Sequence, residues 1–401
     1  MSNSKKYNYI DFTIFLVVFI LMAISVLVVY TASSSYALTK HQDSEHFLTL
    51  HLIKIIVAVG FLILGIAVDY KNYLKFTKVA LIVGIFLLVY VLFFGTKVYD
   101  TYRFINIYGF KFQPSEIVKF LLIAHLAKLL ADKSYNVRDF KTGFLPLMIW
   151  IAVVAGLVMI QPSFSMGSVI LCSGILLIYL GGVRFKHLLI SFSVILPYLV
   201  YNIYDKAYEY KANRFTVYIK NFENMINLNI GEIIESVKNT KILGQVWQGI
   251  IAFGNGGILG VGLGNSRQRD FYIPEAYNDF VFSIVGEEYG VIGTVGIMLL
   301  FLIIFLRGLK IANYAKDEFG RYLALGITIL ITFFALINAG VTLGIIPATG
   351  LPMPFISYGG SSFIASAYAI GVLLNISKQT DLNPRISHIP VVGTVNAEGK
   401  F

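Results

Sequence analysis

The feature that most limits this chain is a succession of uninterrupted apolar runs, each about twenty residues long. A run of that length crosses a bilayer as a helix, because a helix satisfies its own backbone hydrogen bonds inside lipid. A transmembrane β-barrel would show alternating segments of about ten residues instead. Ten spans are read, at approximately 11–31, 50–68, 76–95, 113–131, 143–160, 166–182, 187–204, 280–306, 322–346 and 358–377. Only 13% of the 401 residues are charged, about half the share of a soluble domain. A disordered chain, a coiled coil and an ordinary soluble globule are excluded. The expected fold is an all-α polytopic membrane protein, one membrane domain over 1–401 with no internal repeat.

Orientation follows from the short loops. With the N-terminus inside, the cytoplasmic segments carry 18 Lys and Arg and the short outer loops 4, namely Lys40, Lys97, Arg103 and Lys111. That bias places both termini in the cytoplasm. No small-residue cleavage pattern follows the first span, so it is expected to be retained. Residues 205–279 form a long extracytoplasmic loop between spans seven and eight, with eight further Lys and Arg. Long loops are exempt from the charge rule, and a polar loop of this length is commonly functional. Within it, 246–259 is too short to span and reads as an interfacial or re-entrant segment. Residues 378–401 form a flexible cytoplasmic tail. The lone cysteine, Cys172, excludes a disulfide framework and reads as a small buried hydrophobe.

Ionisable groups inside spans are costly and mark function first. Glu116 and Lys119 stand in Gln113-Pro-Ser-Glu-Ile-Val-Lys119 at the outer end of span four. Their i, i+3 spacing puts them on one helix face, either as a structural ion pair or as the charged wall of a cleft. Asp279 opens span eight. It reads as a helix N-cap or as a carboxylate between wet loop and apolar helix, poised as a general base. Glu287 and Glu288 lie deeper and must face protein or water.

The run 254–264 is dense in glycine but has no βαβ context, so tight turns and close backbone approach explain it better than a dinucleotide site. Arg267 and Arg269 follow it. They suit phosphate oxygens, or form a solvated basic rim or a lipid headgroup contact. Three prolines and three glycines in 347–362 preclude a regular helix there. Irregular backbone at membrane depth needs protein or a polar cavity around it. Ser357, Ser361 and Ser362 line such a cavity or cap span ten. Glu116, Lys119, Gln161, Asp279 and Ser357 all fall at outer helix ends, with Arg103 and the long loop, which points to one extracytoplasmic cleft. ATP is not normally available outside, so a reaction there needs a pre-activated substrate such as a lipid-linked diphosphate.

With these motifs the chain resembles the SEDS family of peptidoglycan polymerases over nearly its whole length, its division-type members more than its elongation-type ones. The resemblance rests on Asp11 and Tyr30-Thr-Ala-Ser-Ser, on 112–119, and on 254–264 followed by Asn265-Ser266. It rests also on 274–280 with Gly286-Glu-Glu288, and on 352–362. Two departures stand out. The usual Gln-Pro-Asp-Leu-Gly reads Gln161-Pro-Ser-Phe-Ser165, so the role of that Asp cannot pass to Ser163. The usual Arg-Arg-Trp reads Tyr102-Arg103-Phe104. Tyr210-Lys-Ala-Asn-Arg214 resembles the family's basic motif in the long loop.

The resemblance implies an inverting glycosyltransferase that polymerises lipid II, an undecaprenyl-diphosphate-linked disaccharide-pentapeptide, for septal wall synthesis in cell division. Asp279 is then the general base, with Lys119 and Glu116 beside it. Arg103, Lys119, Arg214, Arg267 or Arg269 supply cationic contacts for the departing diphosphate. A divalent cation such as Mg or Mn would suit that diphosphate, but no ligand cluster in the sequence identifies one. The implied partners are a class B penicillin-binding transpeptidase and other division-machinery membrane proteins. The net charge of +10 is accounted for by topology and diphosphate, and no nucleic acid is needed. Two other classes remain. A flippase for the same precursor would need polar groups along a whole path and repeats about a midplane site. A non-catalytic division scaffold would leave Glu116, Lys119 and Asp279 purely structural.

Overall fold

The computed structural model describes residues 9–98, 101–107, 110–132, 136–161, 163–189, 241–273 and 276–380. The helices are α1 (Phe12–His41), α2 (His46–Ala67), α3 (Tyr73–Phe94), α4 (Pro114–Ala131), α5 (Leu145–Ile160) and α6 (Phe164–Leu180). After them come α7 (Lys241–Gly256), α8 (Gln268–Phe271), α9 (Val281–Asn313), α10 (Glu318–Thr342) and α11 (Ser361–Lys378). A small antiparallel sheet joins α3 to α4, with strands β1 (Thr96–Val98), β2 (Thr101–Ile107) and β3 (Phe110–Phe112) in that order.

Among the described residues six helical segments are long and apolar enough to cross a membrane: Phe12–His41, His46–Ala67, Tyr70–Phe94, Phe140–Ile160, Val281–Asn313 and Glu318–Thr342. Helix α6 is apolar but shorter. Helices α4 and α11 coincide with the fourth and tenth expected spans and are more polar. The seventh expected span (187–204), most of the 205–279 loop with Arg214, and the tail from 381 lie outside the described residues. Cys172 does not sit in the core: it lies on the exposed side of α6, where a thiol among apolar neighbours behaves as one more hydrophobe.

Helix α10 is the axis of the bundle, buried along most of its length from Phe319 to Thr342. Helices α2 and α3 leave many large apolar side chains, such as Ile56, Phe86 and Phe93, on the outer surface. Helices α2 and α11 bring their backbones into close contact. A Cβ on Gly371 would stand 2.3 Å from the Leu62 carbonyl oxygen, and one on Gly65 2.6 Å from that of Tyr368. In lipid the apolar effect does not drive helices together, so close backbone contact through small residues supplies the attraction.

Polar locks hold both ends of the bundle. At one end the Asp11 carboxylate caps α1 through the Ile14 N–H and accepts from Arg307 of α9 at 2.9 and 2.5 Å. The Asp11 N–H donates to Ser377 Oγ of α11. Nearby, Asn375 bridges the Tyr70 N–H and the Ile66 carbonyl. Hydrogen bonds from Gln379 and the Lys71 N–H hold the Asp69 carboxyl below the usual carboxylate range.

At the other end Arg269 reaches the Thr31 carbonyl of α1 at 2.5 Å and the Gly264 carbonyl at 2.7 Å. It also pairs with Asp270 and with buried Glu288 of α9, at 2.9 and 3.5 Å. The stretch of α1 from Asp11 to Thr31 rises roughly 30 Å, the thickness of a hydrocarbon core. The two locks therefore clamp α1 to α9 at opposite membrane boundaries.

Between the locks α9 is broken. Gly290 has φ 65 and ψ −161, so Val281 to Tyr289 forms a half-helix of its own direction. The glycine-rich segment repairs the break. Val261 and Gly262 N–H groups donate to the Glu287 and Glu288 carbonyls at 2.9 and 3.1 Å. Val291 and Ile292 N–H groups donate back to Gly257 and Ile258 at 3.0 and 3.3 Å. A Cβ on Gly260 would lie 2.2 Å from the Glu288 carbonyl oxygen. The glycines are thus needed for backbone approach. Helix α7 precedes them as a packed element, with Val246 and Ala252 buried and Gly256 against the Gly286 carbonyl. Glu287 is equally committed: it accepts from Ser266, from Asn255 and from the Arg267 and Gln268 N–H groups, and so caps α8.

Gly371→Leu drives a side chain into backbone that cannot yield, and should cost at least about 1–3 kcal/mol. Gly60→Ala, with open space around it, should leave the thermal unfolding midpoint of the purified protein unchanged. Arg269→Ala leaves Glu288 buried without its cation and should cost about 3–5 kcal/mol. Adding Glu288→Gln should recover part of that loss in the same unfolding assay.

Candidate active site

The second polar centre lies where the start of α9 meets the irregular connection between α10 and α11. Asn338 of α10 organises it. Its side-chain amide donates to the Asp279 carbonyl at 2.8 Å and to the Leu351 carbonyl at 2.7 Å. The Tyr358 N–H donates to the Tyr277 carbonyl at 2.9 Å. The turn carrying Asp279 and the loop at 347–360 are thereby fixed to one another and to the central helix. Ser357 is buried and its hydroxyl accepts from the Met353 N–H at 2.8 Å, closing the loop on itself.

Asp279 is not a helix cap. The N-cap position of α9 is Phe280, with no side-chain capping bond. The Asp279 carboxylate is half-buried and faces Gly350, where a Cβ would stand 3.3 Å from Oδ2. Gly350 has φ +65, a conformation that glycine adopts freely. The Asn338 side-chain oxygen and the Thr349 hydroxyl are buried there without a hydrogen-bond partner among the described residues. They add polar capacity beside the carboxylate.

Glu116 and Lys119 form a buried pair at 2.6 Å near the start of α4. Pro114 at the first turn fits, since its missing N–H is one a helix start leaves unpaired. The Lys119 ammonium also lies 3.8 Å from the Phe334 ring centroid. Phe334 and Asn338 are four residues apart on α10 and share a face. Lys119 and Asp279 therefore meet the same stripe of the central helix, about one turn apart. Ser361 accepts from the Gln113 N–H at 3.3 Å, joining the starts of α4 and α11 at this end. Ser361 and Ser362 are largely buried.

Other candidates stand elsewhere. Gln161 is buried and donates to the Leu88 carbonyl of α3 at 2.8 Å, so it ties α5 to α3. Arg269 is taken up by the lock described above. Arg267 is exposed, Arg103 lies half-buried on β2, and Arg214 falls outside the described residues. Sequence reasoning passed over Asn338, Phe334 and Tyr358, and also His51 and Lys54 of α2. His51 is buried against Ser25 of α1 at 2.9 Å, and Lys54 stands over the Tyr358 ring. A search of every apolar run for ionisable groups would have found both.

Among the described residues no group of three or more His, Cys, Asp or Glu is placed to hold a metal ion. The site offers one half-buried carboxylate, one buried ammonium–carboxylate pair, and a loop pinned to the central helix. That combination suits proton abstraction from a hydroxyl next to a developing anion.

The chain matches the family described as cell cycle protein, FtsW/RodA/SpoVE, over residues 11–382. It is 35% identical over 387 residues to the probable peptidoglycan glycosyltransferase FtsW of Geobacter metallireducens, covering 95% of this chain and 98% of that one. It is 34% identical over 370 residues to stage V sporulation protein E of Bacillus subtilis, covering 92% and 97%. In fold it is similar to a chain of a solved peptidoglycan synthase complex that coordinates polymerization and crosslinking. The TM-score there is 0.73 at 21% identity, over 92% of this chain and 98% of that one. The rod shape determining protein RodA of Thermus thermophilus matches with TM-score 0.66 at 20% identity, over 94% and 99%. The chain belongs to the FtsW/RodA/SpoVE family of cell cycle proteins.

Proposed function

We propose that this protein is a peptidoglycan glycosyltransferase that polymerises lipid II on the outer face of the cytoplasmic membrane, for septal wall synthesis. The observation that carries the reading is the half-buried Asp279 carboxylate, on a turn that Asn338 holds through the Asp279 backbone carbonyl, at the end of the bundle where Lys119 meets the same face of α10. Relatives at 34–36% identity that bear the glycosyltransferase name support it. Ten spans with both termini in the cytoplasm would put that end outside.

Asp279 takes the proton of the acceptor sugar hydroxyl as its oxygen forms a bond to the donor's anomeric carbon. The bond from that carbon to the diphosphate oxygen breaks, and undecaprenyl diphosphate leaves with the electron pair. Attack from the opposite face inverts the configuration. Lys119, oriented by Glu116, supplies positive potential to the leaving diphosphate, with Arg103, Arg267 and Arg214 as further cations. A divalent cation such as Mg or Mn would neutralise the same oxygens when bound. The described side chains form no dedicated ligand set for it, and every step above is carried by the protein's own groups. A class B penicillin-binding transpeptidase is the proposed partner. The similarity to a synthase complex that couples polymerization to crosslinking supports that choice.

Asp279→Asn keeps the shape and removes the base. With lipid II and the partner present, glycan strands should fall about a hundred- to ten-thousand-fold while the unfolding midpoint holds. A folded variant with normal polymerisation removes Asp279 as the base, and flipping of lipid II without strand formation favours a transporter.

Glu116→Gln should destabilise the protein by about 3–5 kcal/mol, because Lys119 keeps its buried charge without a partner. The double variant Glu116→Leu with Lys119→Met should regain stability and remain inactive. Activity that returns with stability would reduce the pair to a packing lock.

A further inference from the structure

Lys54 is a cation that the mechanism above does not use. It lies in the apolar run of α2, eight residues past His46 and about 12 Å along the helix. A lysine at that depth is costly and needs compensation. Its ammonium sits 3.3 Å from the Tyr358 ring centroid. Among the described residues it has no ion pair and no hydrogen bond. An aromatic face offsets part of the cost, but it leaves three N–H donors without an acceptor.

The other cations contrast with it. Lys119 is paired with Glu116 in the interior, and Arg269 is held by two carbonyls and two carboxylates. Lys54 itself is only partly buried. Leu50 and Val57, one turn to either side on the same helix face, are exposed. Lys54 therefore opens toward the surrounding lipid, while Tyr358 ties it to the site. Tyr358 stacks edge-on with Tyr277, and its N–H bonds the Tyr277 carbonyl, two residues from Asp279.

We infer that Lys54, with Tyr358 beneath it, is an anion subsite on the membrane-facing side of the Asp279 centre, and that it takes the diphosphate of a polyprenyl lipid arriving through the bilayer. The ligand class rests on the functional reading above; the site itself rests on the geometry of α2 and the Tyr358 loop. The stem is flexible enough to bring the ammonium off the ring onto phosphate oxygens. The polyprenyl chain would lie along the apolar flank of α2, which soluble diphosphates could not exploit.

The test uses the full chain in nanodiscs, with undecaprenyl diphosphate binding read by native mass spectrometry in the absence of turnover. Lys54→Met should weaken that binding about tenfold and Lys54→Arg by no more than about threefold, since charge-assisted contacts to phosphate survive in arginine. In lipid II polymerisation with the partner, Lys54→Met should raise KM with kcat within about twofold, the pattern of a lost binding contact. Unchanged binding in Lys54→Met overturns the inference. So does a loss that Lys54→Arg fails to rescue, which marks a packing role. Phosphatidylglycerol competing as well as undecaprenyl diphosphate at equal mole fraction overturns it too, in favour of a general phospholipid contact. Absence of polymerisation by the unaltered protein would count against the glycosyltransferase reading alone, because the binding measurement needs no turnover.

Discussion

The break in α9 at Gly290 is the constraint on which the rest of this bundle depends. Inside a bilayer no water can take up the backbone groups that a broken helix frees, and each group left unpaired is costly. The 257–262 segment supplies the missing partners, which fixes the glycines of that run and the close approach of Gly260 to Glu288. The half-helix from Val281 to Tyr289 gains a direction independent of the membrane-crossing remainder. The turn that leads into it carries Asp279 to Asn338 and the α10–α11 loop. A straight α9 would have no reason to present that carboxylate to Gly350.

Charge in this protein divides by what already surrounds it. Arg307 with Asp11, and Arg269 with Glu288, are consumed in holding α1 to α9 at two depths. Glu287 is consumed in capping α8. Such groups cannot also ligate a substrate without releasing a structural bond. Among the described residues the Asn338 carboxamide oxygen and the Lys54 ammonium keep unused hydrogen-bonding capacity, and Asp279 stands near them. All three gather around the irregular loop at 347–360. Residue type alone would have ranked Arg269 above Lys54 as a phosphate ligand; the bonds each one makes reverse that order.

Much of the architecture could be read from hydropathy because a spanning helix is specified by length and apolarity alone, and α1, α2, α3, α9 and α10 begin or end within a few residues of the expected spans. The break at Gly290 was not legible. Gly290 is one of 35 glycines, and only its neighbours in space distinguish it from Gly296, which stays helical with nothing around it. Asp279, Glu116 and Lys119 stood out against an apolar background, and the Lys119 ammonium and the Asp279 backbone carbonyl meet α10 about one turn apart. Gln161 stood out equally and is spent on Leu88, since a polar residue near a helix end serves a backbone carbonyl as readily as a cleft. Lys54 was legible and overlooked: once the loops are assigned their Lys and Arg, only Lys119 and Lys54 remain inside spans.

Structural and chemical roles are hard to separate in lipid because one interaction serves both. The Glu116–Lys119 pair keeps two charges out of an apolar interior and also orients an ammonium toward α10. Removing one member exposes the other to the full desolvation cost, so a single substitution confounds unfolding with loss of chemistry. Replacing both members by apolar groups removes the charge without creating an orphan, and what activity then remains measures chemistry alone. Asp279 escapes the difficulty for a physical reason. Its carboxylate is only half-buried, and the contact that anchors the turn runs through its backbone carbonyl to Asn338. An Asp279→Asn exchange keeps the side chain's shape and leaves that anchor in place, so the role proposed for the carboxylate can be tested apart from the fold.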